Sequence, residues 1–142
     1  MIDNSPALIF FLVGILIVGA LVVMALVFLS KKSPKLNVTR YQTQWLAIEN
    51  SVSRDNTASW QVAVMNADKL VDQALRESHY KGQTMGERMK SAQNVWKNAN
   101  HIWGAHKIRN QLAHEVNTQL SYEITLRSLS AFKQALKDLG AI

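Results

Sequence analysis

From Ala7 to Leu29 the chain reads ALIFFLVGILIVGALVVMALVFL, an unbroken run in which every residue is apolar or glycine. Wound as a helix at about 1.5 Å per residue, the run spans about 34 Å, against a bilayer hydrocarbon core of about 30 Å. A helix that is apolar all round has no face to offer water. As a buried core helix it would need about a hundred residues to wrap it on all sides, so a place in lipid is the expectation.

The flanks separate an anchor from a cleaved signal peptide. A signal peptide has a basic leading segment, a shorter apolar region and a small-residue cleavage site. Here the leading MIDNSP carries an acid and no base, whereas SKKSPK after the run supplies Lys31, Lys32 and Lys35. Positive charge beside a membrane helix stays on the cytoplasmic side, so the N-terminus is expected outside and the rest inside the cell. The sequence therefore predicts a single-pass transmembrane anchor over 1–30, a basic linker over 31–38 broken by Pro34, and a cytoplasmic domain over 39–142. Gly14 and Gly19 are five residues apart and do not make the four-residue small-residue spacing of helix dimers.

The chain has no cysteine, which excludes disulfides, thiolate chemistry and cysteine-based zinc sites. Its net charge of +6 is thinly spread beyond Lys35. Lys31, Lys32 and Lys35 serve topology, and a dedicated role in binding anionic lipid is the weaker reading.

Beyond the linker the apolar spacing is helical throughout, and no segment reads as a strand. Tyr41, Trp45 and either Ile48 or Val52 mark a first helix ending near SRDNTAS. A second opens after Asn56 or Thr57, carries Trp60, Val64, Ala67, Val71 and Leu75 with Leu70 widening the stripe, and stops before Gly82. Thr84 with Glu87 forms a capping-box pattern ahead of a short third segment, whose Met85, Met89 and Val95 or Trp96 are expected inside. NANHIWGAHKIRNQLAHE makes a fourth helix with Ile102, Ala105, Ile108 and Leu112 inward and Trp103 at the edge. After VNTQLS a last helix buries Tyr122, Leu126, Leu129, Phe132 or Ala131, and Leu136, and stops at Gly140. The fold class is all-α: a transmembrane helix followed by a bundle of four to five helices.

Within HKIRNQLAHE, residues 106–115, an arginine, an asparagine and a histidine lie close together. Arginine presents fixed donors to a phosphate, and histidine moves protons near neutral pH. Together they suit cleavage of an RNA phosphodiester without a metal. On a continuous helix Arg109 and His114 are rotated by about 140° from each other, so convergence requires the helix to end near His114 or a second copy to complete the site. His101 and His106 repeat the same spacing without the glutamate-flanked four-residue pair of a helical zinc site, and they read as surface or boundary histidines. No metal site and no small-molecule cofactor is expected.

That stretch resembles the signature of the HEPN superfamily (higher eukaryotes and prokaryotes nucleotide-binding domains), in which an arginine, a polar residue, several variable positions and a histidine lie on one of the last long helices. Arg109, Asn110 and His114 match those positions, a final amphipathic helix carrying Tyr122 follows, and ADKLVDQALRE resembles the long early helix of such bundles. The resemblance covers about residues 40–140. It implies a bundle that pairs side by side as a homodimer, bringing two Arg109/His114 sets into one cleft, with RNA as the substrate of active, metal-independent members. His114 would be the general acid/base, Arg109 the phosphate clamp and Asn110 an orienting group. Other members have lost catalysis and serve as binding or dimerisation modules, so the alternative is a membrane-tethered interaction module in which the same residues are structural and His114 caps the helix end.

Overall fold

A computed structural model describes residues 6–29, 35–115 and 118–142 of the chain. Residues 30–34 with Lys31, Lys32 and Pro34 of the linker, the leading residues 1–5, and 116–117 of the last connection lie outside the described residues. The chain divides into two compact units, Met1–Ser33 and Pro34–Ile142.

The first unit holds one helix, α1 (Pro6–Leu29). Its stretch Pro6–Val27 is long and apolar enough to cross a membrane, and none of its most hydropathic window is buried. A core helix of a soluble protein would be covered; Phe10, Leu16 and Val23 are instead 60% exposed or more.

The second unit holds α2 (Val38–Ser51), α3 (Thr57–Glu77), α4 (Met85–Ser91), α5 (Ala99–His114) and α6 (Tyr122–Asp138), with no strand among the described residues. Each begins on a side-chain cap that satisfies an otherwise unpaired backbone N–H: Asn37, Asn56, Thr84, Asn98 and Ser121. At α4 the Thr84 hydroxyl accepts from the Glu87 amide at 3.2 Å, while the Glu87 carboxylate accepts from the Gln83 amide at 2.6 Å. The box therefore closes one residue earlier than the pattern predicts, on Gln83 instead of Thr84.

Helix ends follow local chemistry too. After α6, Gly140 turns to φ +70°, with Ala141 N–H bonded to Leu136 O and Gly140 N–H to Lys137 O. This is the double hydrogen bond of a left-handed helix stop. α3 ends in the same way, but at His79, which adopts φ +61° without being glycine.

α3 is the central helix and packs against α2, α4, α5 and α6, while α5 also packs on α6. The core contains Tyr41, Val64, Leu75, Met89, Ile102, Phe132 and Leu136, each at most 2% exposed. Burying one such side chain contributes on the order of 1.5–3 kcal/mol. The stripes predicted for α2, α3 and α4 are observed, with Trp60, Val52 and Val95 half-buried at their margins. α6 differs. Leu126 is 45% exposed and Tyr122 is half-buried, whereas Thr125 and Ser128 are buried. The small residues Ser128, Ala131 and Ala135 let α6 approach its neighbours closely, which rotates the bulkier Leu126 outward.

Candidate functional site

α3 carries a buried carboxylate inside its apolar stripe. Asp68 is 3% exposed, between Ala67 and Leu70, and faces α5. Burying a charge is costly unless it is paired, and two groups of α5 meet this one. His106 Nδ1 donates to Asp68 Oδ1 at 2.8 Å, and Arg109 Nε lies 3.1 Å from Asp68 Oδ2. Because an ionised carboxylate only accepts, this contact places a proton on Nδ1, and on the far side of the ring from Asp68 stands Nε2. Above it is Gly86, where a Cβ would come within 4.0 Å of His106 Nε2 and 3.7 Å of Trp103 Cζ3.

One turn further along α3, Asp72 collects two more cations. Arg88 of α4, 6% exposed, approaches Asp72 Oδ1 through Nε at 2.8 Å and Nη2 at 2.6 Å, and its Nη1 donates to the Gly82 carbonyl at 2.8 Å. Arg76 reaches Asp72 Oδ2 at 2.6 Å. Gly82 has φ +154°, and a Cβ there would lie 2.7 Å from the Arg88 backbone nitrogen and from Glu87 Cβ. Only glycine fits the turn that presents this carbonyl.

The three residues singled out in HKIRNQLAHE lie on the wall opposite α3. Arg109 points inward, its side chain 31% exposed, and donates from Nη1 to Asn110 Oδ1 at 3.0 Å. His114 is exposed and is the last residue of α5; the next residue, Glu115, has extended backbone with φ −107° and ψ 124°. The helix thus ends where convergence requires. Arg109, Asn110 and His114 line one cleft of about 840 Å³ together with His106 and Asp68. They share its wall without meeting, since Arg109 turns toward Asp68 and His114 stands at the helix end.

Four cations border this cleft, Lys69, Arg76, Arg88 and Arg109, against the two carboxylates Asp68 and Asp72. The surplus is positive and suits an anion. The cations come from three helices, so no dense basic run marks them in the sequence. Asp68 and His106 could serve as two ligands of a metal, but among the described residues no third histidine or carboxylate joins them.

The spacing of HKIRNQLAHE identifies Arg109, Asn110 and His114, but it does not reveal Asp68 or His106 as members of the same cleft. His101 is exposed, as expected, and His106 occupies a boundary position with its side chain 12% exposed. The signal for Asp68 is an acid set among Val64, Ala67 and Val71, all of them fully buried. The signal for His106 is its place one turn before Asn110 and two before His114. No family model, no curated protein and no solved structure matches the chain.

Proposed function

We propose that the α3–α4–α5 cleft binds an RNA phosphodiester and that the domain is a HEPN-like, metal-independent endoribonuclease held at the membrane by α1. The reading rests on one observation: Arg109, Asn110 and His114 line a single cleft with a positive surplus. Arg109 would hold the phosphoryl oxygens and Asn110 would orient its guanidinium through the 3.0 Å contact. His114 would take the proton of the ribose 2′-hydroxyl as that oxygen attacks phosphorus. The bond to the 5′-oxygen breaks, and His114 of a second copy in a homodimer supplies the proton that this leaving group needs. The products are a 2′,3′-cyclic phosphate and a 5′-hydroxyl, so charge and atoms balance without a redox partner. The lysines after α1 favour a cytoplasmic domain, where RNA is available.

The test is cleavage of a labelled RNA by the full chain in mild detergent, with a chelator present. Wild type is expected to release cyclic-phosphate ends, and Arg109→Ala and His114→Ala are each expected to slow this by about 10²–10⁴-fold. Equal cleavage by the double variant would mean a contaminating nuclease and end the proposal.

A second reading has its own support. The Asp68–Arg109 contact fastens α5 to α3, so the same residues would also suit a non-catalytic, membrane-tethered interaction module. In that case Arg109→Ala lowers stability while RNA is left intact by every variant.

A further inference from the structure

Asp68 serves two neighbours with different atoms. His106 occupies Oδ1 at 2.8 Å, and Arg109 is left with Oδ2. The second contact is loosely made: Arg109 Nε is buried and 3.1 Å from Oδ2, yet no acceptor lies along its N–H direction. A carboxylate and a guanidinium prefer a two-pronged pair with both oxygens engaged. Here the imidazole N–H keeps one oxygen out of that arrangement.

We infer that Asp68 and His106 are positioning residues for Arg109. His106 pins Asp68, and the pinned carboxylate holds the guanidinium in the cleft without consuming its donors. A phosphoryl oxygen of the ligand then takes over donors that Asp68 leaves unspent, with Asn110 keeping Nη1 in place. Lys69, on the same cleft, adds charge without restricting geometry. The inference rests on the reading of this cleft as a phosphodiester site, and it predicts that phosphate affinity follows the hydrogen bonding at position 106, which a purely structural pair would not.

The experiment is titration of the full chain in detergent micelles with inorganic phosphate, read by calorimetry and by the NMR signal of the Arg109 Nε–H group. Asp68→Asn leaves His106 its acceptor but sets an amide NH2 opposite Arg109 in place of Oδ2, so the guanidinium loses its hold and phosphate binding is expected to weaken on the order of tenfold. His106→Leu frees Asp68 to close both oxygens on Arg109, and binding is expected to weaken by a similar factor. His106→Asn returns a donor near the position of Nδ1 and is expected to restore affinity to within about twofold of wild type, with the Nε–H signal responding to phosphate as before.

Unchanged or tighter binding by Asp68→Asn, identical behaviour of the two position-106 variants, or no phosphate binding by wild type would each overturn the inference. If Asp68→Asn does not fold, the Leu and Asn variants at 106 decide alone. Phosphate binding with this pattern but without RNA cleavage ends the nuclease reading and leaves the positioning role standing. Cleavage with a phosphate affinity indifferent to position 106 does the reverse.

Discussion

Tyr41 donates its phenolic hydrogen to Glu77 at 2.9 Å, tying the first turn of α2 to the last turn of α3. The ring is fully buried, and Arg40 meets the same carboxylate from the solvent side at 2.6 Å. Tyr41→Phe keeps the packing and removes the hydrogen bond. The expected loss is about 1 kcal/mol, measured by urea unfolding of the full chain in detergent with tryptophan fluorescence. An unchanged midpoint would show that water replaces the bond at no cost.

The same pair shapes the dependence of stability on pH. The Arg40 hydrogen bond outweighs the opposing effect of burial and, with Gln73 and Tyr41, holds the Glu77 carboxyl below its ordinary value of 4.5. As pH falls, the unfolded chain binds this proton first. The stabilisation is therefore present above 4.5 and is lost as pH drops through the folded-state value. At the alkaline end, burial and then the Glu77 hydrogen bond push the Tyr41 phenol from 10.0 up to about 12. Its contribution is complete below 10.0 and fades toward about 12. Unfolding midpoints measured across both windows should slope accordingly, and Tyr41→Phe should flatten the alkaline limb.

Arg88 holds Asp72 and the Gly82 carbonyl at once from a position that is 6% exposed. Arg88→Met fills similar space but leaves Asp72 dependent on the exposed Arg76 and strips the carbonyl of its donor. Removing one partner of a buried pair costs about 3 kcal/mol or more. A loss below 1 kcal/mol in the same urea experiment would mean that α4 is held by its methionines alone.

His79 stands at φ +61°, a conformation that costs a non-glycine residue about 1 kcal/mol. His79→Gly should relieve this and raise stability by up to that amount, as a higher urea midpoint with an unchanged slope. A lower midpoint would assign the exposed histidine a contact worth more than the strain.

The helices were legible in the sequence because each carries its periodicity, and two of them a cap that the sequence marks in advance, Asn56 and Thr84. Asn37, Asn56, Thr84, Asn98 and Ser121 all accept from the first turn they precede. What periodicity could not rank was α6, where buried Thr125 and Ser128 displaced Leu126. Hydrophobicity favours the leucine, but the close approach of two helices favours the smaller side chains. The candidate site divided in the same way. A local motif revealed Arg109, Asn110 and His114, whereas Asp68 joined them only through packing across 38 residues of chain to His106. A long-range pairing leaves no spacing to read.

The turn before α4 has one last consequence. Its carbonyl reaches Arg88 only while position 82 stays at φ +154° with nothing beyond the α-carbon, because 2.7 Å separates an added methyl from the start of the next helix. Under any selection for folding, the polar walls of the cleft could be rewritten many times over. Position 82 would remain an alphabet of one letter.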